Sequence, residues 1–567
     1  MVWGAPSLLT DSLQSDPVVD FAAPRPDFDG ALHEFMIGVL NSALLPDSEA
    51  DWKALWDSPP SPDELHSAFA ERPAAFALDG DGPRCFQDLS VADLSDKKWL
   101  KGVAELLIDQ NGGSDVPLDT HPFTKREGVK KLSRAAAAMA LISMQTYAPS
   151  GGQGHRTGLR GGGPLTTIIV PEYTPPEPIG NEEPEVRMMP LWYRLWANVE
   201  TADQLEARMV GEPRLEPEAE FPWLAATRTS DLKVGGVSTT PRDAHPLQAY
   251  FALPRRIRLK FGPAGNCDIT GEHDDVTVVA FRQRNYGVQY VAWKHPLSPH
   301  YQQKDEWLPV HGQTGGIAWR DWLGLVLQRK GESRQPAATV SHFLLHRAPE
   351  ISGMRFPVRA FGYDMDNMKS KGWVEARLPT FPAQGEAELA RLHRFARAAV
   401  DATSALASAL VLAVKQSQFQ RIEDAKGDFS DVKDELWQTT EASFYEGLHR
   451  VALSSDDEME VIRNDLRPAL RKQVLAIFDR RCPMESLDVT EYRRHVGARH
   501  LLDSVLRGWT KLGSAYYAAL GLPDPKELAK AEAKQAKVKA PGVTSDKSMQ
   551  SGKKRRKSET STSGELP

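Results

Sequence analysis

Apolar residues fall at helical spacing in the first part of the chain: Leu32, Phe35, Met36, Val39 and Leu40 predict a helix over 29–45, with Asp29 as its cap. Trp52 and Trp56 extend this apolar contact up to the breaker SPPSPDE, and Ser61 to Asp63 opens a second helix that runs through Phe69. A third helix is predicted over Val129–Gln145, on an alanine-rich face. The period then shortens. Ile257 to Phe261 and Val276 to Phe281 read as two strands around a turn, and the whole stretch 171–380 reads as β-rich and irregular. From about 381 the helical period returns in four segments. These carry Leu392, Phe395, Ala399, Ala402, Leu406 and Leu410; Leu436, Phe444, Leu448 and Val451; Leu470, Val474, Ile477 and Phe478; and Leu501, Leu502, Val505, Leu506 and Trp509, continuing to Tyr516. Four such segments predict a helix bundle. Residues 523–567 are Lys-, Ser- and Gly-rich, poor in apolar residues, and read as a disordered basic tail carrying KKRRK at 553–557. The fold class is therefore α+β: a mixed domain over 1–380, a four-helix bundle over 381–522, and a tail over 523–567.

Between the third helix and a predicted strand at Leu165–Val170 lies SGGQGHRTGLRGGGPLTTIIV (150–170), with seven glycines. Glycine accepts φ > 0 and lets the backbone approach a ligand closely. His155, Arg156 and Arg160 stand among the glycines as cationic or potentially cationic groups suited to phosphate. No Gly-Lys-Ser/Thr is present and Gly152, Gly154 and Gly158 do not fit GxGxxG, so this is not a known phosphate loop; read alone, it is first an ordinary mobile loop.

Composition narrows the function. The net charge is −7, so any nucleic-acid contact rests on local patches, not on a basic body. Three widely spaced cysteines imply no disulfide framework and fit a reducing cytoplasm. No apolar run reaches membrane-spanning length and no signal peptide opens the chain. Length allows two to four domains. Cys267 and His273 are too few ligands for structural zinc, and Asp268, Glu272, Asp274 and Asp275 do not have EF-hand spacing. His295, His300 and His311 lack a facing carboxylate or HExxH. No metal or other cofactor is expected, and no nucleophile–base pair can be assembled.

Five ordered blocks carry a resemblance. RPDFDGALHEFMIGVL (25–40), LDGDGPRCFQDL (78–89), the glycine segment, NYGVQYVAWKHPLSPHY (285–301) and RAFGYDMDNMKSKGWVE (359–375) resemble the CasA family, the large subunit of the type I-E CRISPR surveillance complex, Cascade, over roughly residues 25–520. The resemblance implies a non-enzymatic, cytoplasmic subunit. It would recognise a protospacer-adjacent motif in double-stranded target DNA, promote strand opening, and recruit a helicase–nuclease. Its partners would be a guide RNA ribonucleoprotein with the backbone, small and RNA-processing subunits, and no membrane. It further implies DNA contacts by Gly151, Gly152, Gln153, Gly154, His155, Arg156 and Arg160; by a basic finger at Arg284, with Arg282 and Asn285 as alternative registers; by Lys125 and Arg126 in the polar loop 109–128; and by a wedge of Asn367 and Met368. Two other readings stay open: a scaffold of the same complex without motif reading, and a metal-dependent nuclease using the His- and Asp-rich 268–311 region.

Overall fold

Phe28, Ile37 and Leu40 are completely buried on the helix Pro26–Leu44, which the rest of the mixed region surrounds. The computed structural model describes residues 6–71, 73–91, 100–109, 128–173, 188–212, 214–328, 333–366, 369–381, 385–485 and 488–539. This first helix begins before Asp29. Pro26 fills its first turn, where a missing N–H costs nothing, and Asp29 is an interior residue paired with Arg359 at 2.7 Å. Trp52 and Trp56 lie on a helix of their own, Glu49–Asp57, opened by a Ser48/Asp51 capping box, and stack at 5.3 Å. Ser61 and Glu64 make a second capping box, on Pro62–Phe69, where the sequence predicts a helix start. The helix predicted at Val129 starts later, at Arg134, because Leu132–Ser133 pairs as a strand and Ser133 caps the helix through Ala136 N–H.

Two sheets position the site. In the first, Thr277–Arg284 is central and antiparallel to Arg256–Gly262, Leu100–Gly102 and Leu132–Ser133. This confirms the two strands read from alternation. In the second, the strand Thr166–Ile169 that leaves the glycine segment pairs with Val358–Asp366, which forms a hairpin with Lys369–Leu378. Phe361 and Trp373 stack at 5.8 Å across that hairpin.

Helices Glu386–Gln418, Ser430–Leu453, Met459–Arg481 and Val489–Leu506 form the bundle, and a short helix Lys511–Ala519 closes it. Glu386–Gln418 corrects one expectation: by length and composition it could cross a membrane. Its apolar face is instead spent on packing, for Phe395, Ala402, Leu406, Leu410 and Ala413 are buried against the other helices. Trp509 does not complete the core. Gly508 (φ +81°) ends the preceding helix and leaves Trp509 50% exposed. The mixed region grips the bundle through Trp319, whose Nε1–H donates to Trp437 O (2.8 Å) and whose ring stacks on Phe444 (4.3 Å), and through Arg320–Asp434 (3.0 Å). The tail is corrected in part: Pro525–Lys539 is a helix, as its Ala, Lys and Glu residues favour, while KKRRK lies outside the described residues.

Candidate nucleic-acid interface

The glycine segment has a built base and an open tip. At the base, Gly163 N–H donates to Tyr147 O (3.0 Å) and Gly158 N–H to Ala148 O (3.3 Å), folding the chain back onto the end of the preceding helix. A Cβ at Gly158 would lie 2.3 Å from Thr146 O, so packing alone demands glycine there. At the tip, Gly151, Gly152 and Gln153 are exposed. Gly152 has φ +97° and Gly154 φ +76°, and nothing lies within 4 Å of the place a Gly152 Cβ would take. The tip backbone is therefore bent and uncovered, as close contact with a ligand requires.

A second segment braces that tip. The strand Thr277–Arg284 runs on into Asn285 and Tyr286. Tyr286 N–H donates to Gly154 O (2.7 Å), and Asn285 Nδ2–H donates to Gln153 O (2.9 Å). Arg156 donates from Nε to Ser230 Oγ (2.8 Å) and lies over the Tyr286 ring at 5.9 Å. Ser230 Oγ in turn donates to Gly287 O (2.7 Å). Residues far apart in sequence thus form one surface: the glycine tip, the 284–287 arm with exposed Arg284, and the 229–230 segment. The sequence reading found the first two. It missed Tyr286, which stands in the block 285–301 without being singled out, and Thr229–Ser230, whose only signal was polar residues next to the turn residues of DLKVGG.

Two predicted contacts are corrected, and a third loses its charge. Arg160 is only 5% exposed. Its guanidinium pairs with buried Glu34 and donates to Thr166 Oγ1 (2.9 Å) and Ser298 Oγ (3.0 Å). Glu34 also accepts from Tyr147 OH (2.7 Å) and Thr166 Oγ1 (2.6 Å), so Arg160 neutralises a core carboxylate and cannot reach DNA. Arg282 shares a face with Arg284 as predicted, but it lies inside the sheet, opposite Leu100 on one side and Arg258 on the other. Arg282 is 2% exposed. His155 sits at the tip but brings no charge at neutral pH, because burial, Arg255 and Lys101 lower its pKa to about 4. Lys125, Arg126, Asn367 and Met368 lie outside the described residues; the hairpin carrying the last two is described up to Asp366 and again from Lys369.

The acidic turn after Cys267 is used structurally. Asp268 Oδ2 accepts from Lys130 and Lys131 N–H (2.6 and 2.7 Å), and Asp274 pairs with Arg134 (2.8 Å). Among the described residues the group with metal-ligand proximity is Asp20, Asp29 and His33. Its carboxylates are paired with arginines, Asp20 with Arg194 (3.1 Å) and Asp29 with Arg359 (2.7 Å), which removes the charge a cation would need.

The family model for CRISPR-associated protein Cse1 matches residues 7–478. No curated protein matches the chain. Among solved structures, CasA from Thermus thermophilus superimposes with a TM-score of 0.61 at 16% identity, covering 86% of this chain and 92% of that one. Cse1 from Acidimicrobium ferrooxidans gives 0.59 at 16% identity, covering 89% and 93%. A chain of a CRISPR RNA-guided surveillance complex gives 0.55 at 17% identity, covering 86% and 92%. At these identities the likeness concerns the fold.

Proposed function

The chain belongs to the CRISPR-associated protein Cse1 family, and from that premise we propose that it is the large subunit of an RNA-guided DNA surveillance complex, reading a short motif in duplex DNA. The observation that carries this reading is the open glycine tip, Gly151–Gly154, locked by hydrogen bonds to Asn285 and Tyr286 beside exposed Arg284. A bare backbone ridge fits the minor groove, whose donor and acceptor pattern is degenerate, so recognition is by shape and tolerates several motifs. Arg284 supplies a phosphate contact next to it. The hairpin of Val358–Asp366 and Lys369–Leu378 pairs with the strand that leaves the glycine segment, which supports its parting of the first base pairs once the motif is held. Base pairing with the guide RNA then reads the sequence, by the same division of labour as in single-protein effectors. The subunit works by recognition, without catalysis, in the cytoplasm. With a net charge of −7 the free chain binds DNA weakly; tight binding requires the assembled partners, and a helicase–nuclease acts on the opened product.

The test is a reconstituted complex carrying Gly152→Val. A β-branched residue at φ +97° is strained and fills the space the groove would occupy. Complex assembly and guide RNA content should stay normal while motif-dependent duplex binding is lost. Unchanged binding would make the tip a mere connector.

A further inference from the structure

The turn Thr229–Val237 presents apolar side chains to solvent on a frame that is thoroughly hydrogen bonded. Leu232 is 85% exposed, the most of any large apolar residue among the described residues, and Val234 and Val237 are 71% and 48% exposed. Mobility does not explain this. Val237 N–H donates to Thr229 O (3.0 Å), Gly236 N–H to Asp231 O (2.8 Å), Val234 N–H to Asp231 O (3.1 Å), and Asp231 Oδ1 accepts Lys233 N–H (3.0 Å). Gly235 has φ +76°, and a Cβ at Gly236 would lie 2.4 Å from Asp231 N, so the two glycines are what allow the chain to close this tightly. Loop tips are usually polar. Here a rigid turn holds two aliphatic side chains outward with exposed Lys233 between them.

The position of the turn supplies its partner. Thr229 Oγ1 donates to Tyr286 O (2.8 Å), Ser230 N–H donates to the same oxygen (3.2 Å), and Arg156 binds Ser230 through both Oγ and O. Tyr286 N–H is in turn bonded to Gly154 O. The base of the turn, Thr229–Ser230, is thus joined to the glycine loop through Tyr286 and Arg156. We propose that the Thr229–Val237 turn is an apolar wedge of the DNA-binding face: Leu232 and Val234 press between base pairs of the duplex held by the glycine loop, and Lys233 contacts a phosphate. This rests on the reading that the glycine loop engages duplex DNA. Aliphatic wedges inserted at a base step partly unstack it and bend the duplex, and they work where neighbouring cations hold the backbone. The local charge fits. Between Arg228 and Val237 the one acid, Asp231, is half-buried and spends a carboxylate oxygen capping the turn's own backbone. A protein partner is less well matched, since Leu232, Val234 and Val237 make a small knob, far short of the ~1,000 Å² of a stable protein interface.

The experiment uses the full complex with Leu232→Ser/Val234→Ser, side chains whose exposure keeps the fold independent of them, alongside Gly152→Ala. A fluorescent adenine analogue placed at successive base steps beside the motif reports unstacking. The double variant should assemble with guide RNA normally, bind the motif duplex about tenfold more weakly, and lose the fluorescence rise at one step near the motif. Leu232→Met/Val234→Ile should restore both. If Gly152→Ala weakens binding while the double variant binds and unstacks as the parent does, the wedge is overturned and the glycine-loop reading stands. If the double variant fails to assemble, the turn docks a protein subunit and the proposal is overturned. If neither variant changes DNA binding, both readings fall.

Discussion

Replacing Arg160 by Ala separates a core role from a DNA role, because the residue sits in the glycine segment yet faces inward. Its guanidinium is the counter-charge of Glu34, whose side chain is 4% exposed. Without Arg160 the carboxylate keeps two hydroxyl donors, Tyr147 and Thr166, but no positive charge, and Ser298 Oγ and Thr166 Oγ1 lose a donor. Leaving one partner of a buried pair uncompensated costs about 3–5 kcal/mol. If the mixed region unfolds as one unit of ~380 residues, its unfolding entropy is about 0.8 kcal/mol/K, so the melting temperature should fall by about 4–6 °C. Glu34→Ala/Arg160→Ala together should cost less than the sum of the single changes, since the stranded charge is gone. The assay is differential scanning calorimetry of the isolated subunit, with duplex binding of the reconstituted complex measured below the transition. A variant that melts like the parent but loses DNA binding would show that Arg160 faces DNA, and the core assignment would be refuted.

Arg284→Ala should leave melting unchanged and make the log–log salt dependence of duplex binding shallower by about one, as loss of one phosphate contact requires; an unchanged slope counts against Arg284 as a contact. Gly158→Ala must displace backbone and should lower the melting temperature, whereas Gly152→Ala meets open space, costs only about 1 kcal/mol of conformational strain, and should act on DNA binding; calorimetry showing equal destabilisation would contradict the base-and-tip division. Gly447→Ala would put a Cβ 2.2 Å from Phe395 Cζ, in a ring that is fully buried and stacked on Phe444, and should destabilise the bundle by about 1–3 kcal/mol in urea titrations. His33 and His300 are buried, with pKa values lowered to about 4, chiefly by desolvation. The unfolded chain therefore takes up protons that the folded one refuses. Stability is fully present above about pH 6.5 and is lost as pH falls towards 4, by roughly 2 kcal/mol per histidine at pH 5. Equal urea midpoints at pH 7 and pH 5 would contradict this.

The sequence by itself determined what repeats or caps. Helical spacing located the bundle, alternation located the pair Arg256–Gly262 and Thr277–Arg284, and Ser61 marked a helix start, because period and capping are local properties of the backbone. Glycine content located the tip, because positive φ at Gly152 and Gly154 is a property of single residues. Which charges reach solvent was decided only by tertiary structure. Arg156 and Arg160 are four residues apart in one loop, yet one braces the surface and the other pairs with Glu34 on a helix far upstream. Arg282 and Arg284 share a strand face, yet the first is buried and the second exposed. Burial of a long side chain depends on what packs over it, and that neighbour is distant in sequence. The same holds for the 229–237 turn: its place beside Tyr286 and Gly154 follows from hydrogen bonds between segments that no local pattern links.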